Sequence, residues 1–438
     1  MENNRRDFLK LSSLAWLGIT GVGKLKGFGS AFDGMNQPGL EFPGSNTTSA
    51  MDIKQFEEEK LSIIGQYGKW ANSFNKNKLP AFSFRRNEWT NPGTWRKAAK
   101  KRIAERLVIP DIGETPKVTV VRQFTYDGLH IEELNWQLPY GRPTEALLLK
   151  PLHAKGKLPA ILAFHDHGGN KYFGTRKITR VSAEQHPLIV AHQKEYYEGL
   201  AWANEIAKRG YVVLVPDAFP FASRRVMMQD IPEKMRNGLN DNDPENPDNI
   251  KAYNEWASNH EHTMAKSLFS AGTTWPGVFI AEDRKALDVL CAREDVDTKR
   301  IGCGGLSGGG MRTIFTGGLD PRIKCAVCVG FMTTWEDLLL NKSFTHTWMT
   351  YVPLLPNEMD LPEVLGLRAP LPSLVLNNNE DELFTLSEMK RADDILKEVY
   401  KKTKAADHYQ CSFFAGPHKF DAKMQVQAFD WFDRWLKG

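Results

Sequence analysis

The sequence predicts an α/β protein built on a mostly parallel, doubly wound β-sheet. Short apolar runs alternate with helical stretches from about residue 158 to the C-terminus, after an opening antiparallel set of strands. The continuous apolar runs are typical of strands that are buried on both faces of a parallel sheet. With 438 residues, the chain is long enough for one large α/β domain with an extension, or for two domains.

The composition excludes several classes of protein. Hydrophobic content of 41% and charged content of 25% are ordinary for a soluble globular chain. The net charge is +4 with scattered basic residues, so we expect no nucleic-acid partner. Cys325 and Cys328 form a C-x-x-C on a predicted strand, where positions three apart face opposite sides. That pair is therefore predicted to be two buried thiols and neither a metal clamp nor a disulfide.

Residues 1–31 resemble a twin-arginine export signal. Arg5 and Arg6 precede Phe8-Leu9-Lys10 and a mildly apolar run over 11–19, and Gly29-Ser30-Ala31 is a weak cleavage site. The run is too short and too broken by glycine to be a permanent membrane span. We therefore expect an exported, periplasmic or secreted protein, with a disordered basic tail as the alternative interpretation.

A linker and a helical extension over 32–116 are predicted to precede the main domain at 117–438. A Gly/Pro/Asn/Ser-rich linker runs to Ser49, an amphipathic helix follows over 52–66, and a second helix over 95–107 begins after Asn91-Pro92-Gly93-Thr94.

The main domain then alternates strands and helices in order. The predicted strands are 117–126, 129–138, 144–150, 158–165, 211–216, 299–304, 323–329, 374–376 and 410–414. The predicted helices are 196–209, 278–293, a helix beginning at about 310, 387–400 and 422–436. A polar insertion over 219–270, with an exposed loop at 237–249, and a second insertion over 333–368 interrupt the pattern.

A G-x-S-x-G motif lies between a predicted strand and a predicted helix. It reads Gly305-Leu306-Ser307-Gly308-Gly309, and this context is what a nucleophile elbow requires. A serine hydroxyl is a poor nucleophile unless a base takes its proton. The motif therefore predicts a histidine and an acid later in the chain.

Both partners follow predicted strands, at the edge of the sheet where ligands bind in such folds. Glu380-Asp381-Glu382 comes after strand 374–376, and His418 comes after strand 410–414. In this interpretation His418 takes the proton of Ser307, and the acid holds the imidazole in the right tautomer. Asp381 is the chosen acid, with Glu380 and Glu382 as alternatives.

The oxyanion that forms during acyl transfer needs two backbone amides. One is expected from Gly308, directly after the nucleophile, and the other from His167 in the loop after strand 158–165.

A competing interpretation takes His165-x-His167, with His260-x-His262, as metal ligands. No matching carboxylate-rich motif supports it, and it leaves the elbow unexplained. We expect neither a metal nor a cofactor.

On these motifs the chain resembles the acetyl xylan esterase and dienelactone hydrolase-like branch of the α/β-hydrolases. The likeness runs from about Lys117 to the C-terminus and rests on four segments: His165 to Gly169, Gly305 to Gly309, Glu380 to Phe384 and Gly416 to Phe420. The Asp-x-Leu-Phe context of Asp381 is typical of these hydrolases. One departure is Asp166, which stands where glycine is usual in the oxyanion loop.

The resemblance implies a serine carboxylic-ester hydrolase that acts on an ester-substituted carbohydrate, with an acetyl xylan esterase-like deacetylase as the first expectation. A methyl esterase of uronate or pectin-type glycans is the alternative, and a non-catalytic carbohydrate-binding relative is the alternative from another class. Arg224 and then Arg225, in the segment after strand 211–216, are expected to bind a substrate carboxylate or uronic ester.

Overall fold

The computed structural model describes residues 61–74 and 79–438 of the chain. The predicted export signal, the linker and the first part of the predicted helix over 52–66 lie outside the described residues. Residues 61–66 form loop and turn, so the prediction of helix is wrong over that part. Within the described part of the chain, no helix is long and apolar enough to cross a membrane.

A mixed sheet of nine strands organises the described residues. In spatial order the strands are β1-β2-β3-β5-β4-β6-β7-β8-β9, with antiparallel pairing from β1 to β5 and parallel pairing from β5 to β9. The mostly parallel sheet confirms the predicted fold class. The strands are β1 Val118–Tyr126, β2 Leu129–Trp136, β3 Thr144–Pro151, β4 Leu158–Phe164, β5 Val212–Pro216, β6 Val296–Leu306, β7 Ile323–Val329, β8 Ser373–Asn378 and β9 Tyr409–Phe414.

Twelve α-helical segments among the described residues surround or connect these strands. In chain order they are α1 Tyr67–Asn72, α2 Pro92–Leu107, α3 Pro187–Tyr197, α4 Trp202–Lys208, α5 Pro247–Ser270, α6 Trp275–Cys291, α7 Gly308–Leu319, α8 Trp335–Asp337, α9 Leu355–Glu358, α10 Leu361–Gly366, α11 Leu386–Lys402 and α12 Ala422–Leu436.

Two stretches differ from the sequence-based expectation. The helix predicted over 196–209 is two helices, because Glu198 and Gly199 adopt left-handed backbone angles (φ 57° and 80°) that end α3. The polar insertion over 219–270, predicted with an exposed loop at 237–249, contains the 24-residue helix α5, whose first amides are capped by the side chain of Asn246. The helix was not predicted because its sequence is mostly polar and only one of its sides is buried.

The sheet separates two apolar cores, one on each face. Cys328 packs in one core and Cys325 in the other, and both are free thiols, as their spacing on a strand predicted. Helix α2 buries Trp95 and Ile103 in the same core as Cys328, so this helix and the sheet share one core.

The loops that follow β4, β6, β8 and β9 lie at the carboxyl edge of the parallel strands. In open α/β sheets this edge is where ligands bind. The region over 333–350 and helix α5 contribute residues to the cavity at this edge.

Candidate active site

Ser307 occupies a sharp turn between β6 and α7. Its backbone lies at φ 57° and ψ −119°, a region that L-residues rarely adopt, and its amide donates a 2.9 Å hydrogen bond to the carbonyl of Val329. Close packing forces glycine at both flanks. An added Cβ on Gly305 or Gly309 would lie 2.3 Å or 2.5 Å from the carbonyl oxygen of Phe164. The sequence around Ser307 therefore has the strand–turn–helix context that an elbow requires.

His418 and Asp381 form a hydrogen-bonded pair beside this turn. The Nδ1 of His418 donates to Oδ2 of Asp381 over 2.6 Å, and the other carboxylate oxygen accepts from the amide of Leu383 at 3.0 Å. The Nε2 of His418 is buried and has no hydrogen-bond partner among the described residues. His418 and Ser307 line the same cavity, so the predicted base and nucleophile lie at one site, and no hydrogen bond joins Nε2 to the serine hydroxyl.

The neighbouring acids do not share this arrangement. Glu380 and Glu382 are exposed, whereas Asp381 is buried with 3% of its surface accessible. Glu380 instead accepts a 3.3 Å hydrogen bond from the amide of Gly416. Among these three acids, Asp381 makes the contact with His418.

The imidazole of His418 is packed against Gly330, at the end of β7. Gly330 has φ 57°, and an added Cβ would lie 2.9 Å from Cε1 and 3.2 Å from Nδ1 of His418. Its amide donates to the carbonyl of Leu376 at 2.8 Å, which ties this turn to β8. Gly330 therefore allows the histidine to approach the sheet edge more closely than any other residue would.

The backbone of His167 lies beside Gly308. A Cβ placed on Gly308 would be 3.1 Å from the amide nitrogen of His167. Gly308 is the first residue of α7, and the first amides of a helix have no acceptor within the helix. The two residues expected to supply the oxyanion amides are thus neighbours in space.

The side chain of His167 belongs to a buried polar cluster with Glu261 and Lys171. Its Nδ1 accepts from the amide of Gly169 at 3.1 Å, and its Nε2 lies 3.0 Å from Oε1 of Glu261. The Nζ of Lys171 lies 2.6 Å from the same oxygen, and Oε2 of Glu261 accepts from the amide of Trp348 at 3.2 Å. Glu261 in α5 thus joins the loop after β4 to the second insertion.

The electrostatics of this cluster follow from burial and pairing. Burial by itself would raise the pKa of Glu261, but the hydrogen bond with His167 and the charge of Lys171 lower that pKa to about 2. Burial, and then the charge of Lys171, lower the pKa of His167. The cluster is therefore a carboxylate–ammonium pair with a neutral imidazole, and the hydrogen bond from Gly169 places the ring proton on Nε2.

Asp166 lies in a second buried network beneath the same loop. Its carboxylate lies 3.1 Å from Nε2 of His192, accepts from the hydroxyl of Tyr197 at 2.5 Å, and lies 3.7 Å from Nζ of Lys177. Burial would raise the pKa of Asp166, but the charges of His192 and Lys177 keep that pKa well below its ordinary value. Asp166 thus lies between two groups that can carry positive charge, while its Oδ2 has no hydrogen-bond partner among the described residues.

The histidines of the competing metal interpretation are engaged elsewhere. The Nδ1 of His165 bonds the carbonyl of Asp166 at 3.0 Å, and its Nε2 accepts from the amide of Ala218 at 3.2 Å. His260 stacks on Trp256, with ring centroids 4.6 Å apart. Among the described residues, no group of three or more His, Cys, Asp or Glu side chains is arranged to hold a metal.

Arg224 and Arg225 lie outside the residues that line the cavity of Ser307 and His418. Arg224 is buried and donates to Oε1 of Glu282 at 2.7 Å and to the carbonyls of Tyr140 and Arg142. Arg225 lies over the ring of Tyr172 at 4.4 Å. The structure does not bring either guanidinium to the nucleophile.

The cavity itself has a volume of about 360 Å³ and a mixed lining. Apolar and aromatic side chains cover most of it, and Ser307, His418, His346 and Glu261 provide polar groups. A space of this size accommodates a small acyl group and part of one sugar-sized ring.

Several of these residues carried no local signal in the sequence. Glu261 and Gly330 are distant in the chain from His167 and His418, which they contact, and Lys171 and Lys177 follow the His165–Gly169 motif without a recognised spacing. Each would be found only from the packing of separate loops, because no spacing rule connects them to Ser307 or His167.

Comparisons with known proteins agree with this architecture. No family model matches the chain. The Bacillus subtilis (strain 168) protein named "Putative hydrolase YtaP" is 26% identical over 309 residues, which are 70% of this chain and 88% of that protein.

Two solved structures superpose over most of the chain. The first, from Bacteroides fragilis, is named as a putative acetyl xylan esterase; its TM-score is 0.59 at 16% identity, over 82% of this chain and 86% of that chain. The second is a glucuronoyl esterase from Solibacter usitatus, with a TM-score of 0.57 at 15% identity, over 82% of this chain and 98% of that chain. The sheet order and these neighbours together show that the chain has a fold of the α/β-hydrolase type.

Proposed function

We propose that this protein is a serine carboxylic-ester hydrolase acting on an ester-substituted carbohydrate. The observation that carries the proposal is the hydrogen bond between His418 and Asp381, with Nε2 of His418 left without a partner and with His418 and Ser307 lining one cavity. A strained serine, a buried base without a partner and an acid behind that base are the parts that acyl transfer needs.

The proposed reaction passes through an acyl-enzyme. Oγ of Ser307 attacks the ester carbonyl while Nε2 of His418 takes the hydroxyl proton, and the same nitrogen then gives that proton to the leaving alcohol. Asp381 keeps Nδ1 protonated and stabilises the imidazolium. The amides of Gly308 and His167 donate to the oxyanion. Water then attacks the acyl group with His418 again as base, which releases the acid and restores the serine.

Two kinds of ester remain candidates for the substrate. The fold-level neighbour named as an acetyl xylan esterase favours removal of an acetyl group from a glycan. The neighbour named as a glucuronoyl esterase favours the second candidate, in which the uronate carboxyl itself forms the ester. In the first case the enzyme holds the acetyl group, and in the second it holds the uronate during the acyl-enzyme step.

One substitution and one reagent test the mechanism. The purified protein should hydrolyse 4-nitrophenyl acetate, and Ser307→Ala should abolish this activity with an unchanged melting temperature. A serine-reactive phosphonate should add to the wild-type protein at Ser307, as read by peptide mass spectrometry, and should not add to the variant. Glycan binding that survives phosphonate treatment, with no adduct and no turnover, would instead favour a non-catalytic carbohydrate-binding protein.

Product analysis separates the two candidate esters. Acetylated xylan and methyl-esterified pectin should be offered at equal ester concentration, with acetate and methanol measured as the released products. Acetate from xylan would support the deacetylase, and methanol from pectin would support the methyl esterase.

Export is a separate part of the proposal and rests on residues 1–31. Fractionation of cells that express the full chain should find the protein outside the cytoplasm. Replacement of Arg5 and Arg6 by lysine should retain it inside, because the paired arginines are what the export route reads. Export that persists in this double variant would contradict the twin-arginine assignment.

A further inference from the structure

A buried lysine lies under the oxyanion loop with its charge directed at the loop backbone. Lys177 has no accessible surface, and its Nζ donates to the carbonyl of Asp166 at 2.8 Å and to the carbonyl of His167 at 2.9 Å. The same atom lies 3.7 Å from the carboxylate of Asp166 and 4.8 Å from the ring centre of Phe221. A buried lysine is costly, so an ammonium bonded to two successive carbonyls calls for an explanation.

The geometry of the peptide unit supplies that explanation. In a planar trans peptide, the C=O and the N–H of the same unit point in opposite directions. The carbonyl of Asp166 belongs to the same unit as the amide of His167. Lys177 and the Nδ1 of His165 both bond that carbonyl, so the amide of His167 points away from them, and Gly308 lies close to that amide nitrogen.

We propose that Lys177 is a positioning residue that orients the Asp166–His167 peptide, so that the amide of His167 becomes the second oxyanion donor. Lys177 itself touches no reacting atom. This inference rests on the proposed esterase function and deepens it.

The same arrangement accounts for aspartate at position 166. A lysine beneath the loop brings a positive charge into the core, and the carboxylate of Asp166 lies close enough to balance it. Packing around this carboxylate is tight, because a Cβ on Gly168 would lie 2.4 Å from Oδ2 of Asp166 and 2.6 Å from Cε1 of His192. Lys177 and Asp166 therefore hold one loop conformation together.

Lys177→Met is the variant that tests the inference, since methionine fills similar space without a donor. It should lower kcat for 4-nitrophenyl acetate by roughly 10- to 100-fold. This loss is no larger than the loss of kcat that follows removal of one oxyanion donor. KM should change by less than about twofold, because the ground-state carbonyl gains little from the donor. The affinity for phenylboronic acid, which forms a tetrahedral adduct on a catalytic serine, should fall by the same factor as kcat.

Lys100→Met is the matched control. Lys100 is partly buried and, like Lys177, donates to a backbone carbonyl, that of Leu319 at 3.1 Å, but it does not line the cavity of Ser307. Its variant should keep the kcat and the boronic acid affinity of the wild type. A general effect of losing a lysine that bonds a backbone carbonyl would appear in both variants.

The outcomes separate this inference from the proposed function. If Lys177→Met keeps kcat within twofold, or loses kcat without losing boronic acid affinity, the positioning role is refuted while a serine esterase stands. If the wild type itself has no esterase activity, the proposed function fails first.

A structure of the wild-type protein keeps the inference testable even if the variant does not fold. In a crystal structure with phenylboronic acid on Ser307, one boronate oxygen should accept from the amide of His167, with Lys177 still bonded to the carbonyl of Asp166. A boronate oxygen that finds its second donor elsewhere would overturn the assignment.

Discussion

Gly330 offers a direct test of how closely His418, the proposed base, must be held. The change is Gly330→Ala, which adds one methyl group beneath the imidazole of His418. The new Cβ would lie 2.9 Å from Cε1 of His418 and 3.0 Å from Cδ1 of Leu306. Carbon atoms in contact are optimally about 3.5–4.0 Å apart, so the ring would have to move by roughly half an ångström.

The size of the effect follows from that displacement. A misplacement of about 1 Å costs on the order of 100-fold in rate, so half of it predicts a loss of kcat on the order of 10-fold. The left-handed backbone of Gly330 (φ 57°) adds strain of about 1–2 kcal/mol for alanine. We therefore expect a moderate loss of stability together with a clear loss of kcat, measured on 4-nitrophenyl acetate and by urea unfolding.

The control is Gly113→Ala. Gly113 also has a left-handed backbone (φ 80°), but an added Cβ there meets no atom within 4 Å. It should reproduce the loss of stability and leave kcat unchanged. If Gly330→Ala and Gly113→Ala lower stability equally and neither changes kcat, then the imidazole tolerates the methyl group and the reasoning is refuted.

Two other predictions concern buried charges near the site. Glu261→Gln should destabilise the fold at pH 7, because Lys171 loses its carboxylate partner. The pKa of Glu261 in the folded protein is about 2, below the ordinary 4.5. The wild type should therefore exceed the variant in unfolding free energy by the full amount above pH 5, and by less as the pH falls towards 2. Urea titrations that give the same difference at every pH would contradict this prediction. Arg224→Met should cost about 3–5 kcal/mol in the free energy of unfolding, because Glu282 is left buried without its guanidinium. It should leave kcat and KM unchanged on methyl-esterified substrates; a selective rise in KM there would instead support the substrate-binding role expected from the sequence.

The fold was predictable because its signals are local. Strands β4 and β5 are short apolar runs, and the predicted strand 323–329 and the predicted helix 422–436 coincide with β7 and α12. Helix α5 was missed because its burial is one-sided and its sequence is polar, so its place was decided by contacts with other segments. The break between α3 and α4 depends on Glu198 in a left-handed conformation, which is uncommon for that residue type.

The candidate site was likewise predictable only in its local features. Ser307, Asp381 and His418 follow strand ends, and the topology of the sheet brings the ends of neighbouring parallel strands to one edge. Arg224 also follows a strand end, yet its side chain turns away to Glu282. A position after a strand end therefore predicts that the backbone lies near the site. It does not predict where a long side chain points, because for Arg224 the carboxylate of Glu282 decides that direction.

Asp166 shows what a departure from a motif can reveal. Glycine is usual at this position in the related motif, so the sequence alone left the second oxyanion donor open. In the structure the aspartate pairs with His192, Tyr197 and Lys177, all of which lie later in the chain. The carboxylate could not be buried alone, and the ammonium of Lys177 could not be buried beneath the loop without it. Asp166 and Lys177 therefore depend on each other. Removal of the charge of either residue should displace the Asp166–His167 peptide, whose carbonyl Lys177 bonds, and with it the amide of His167.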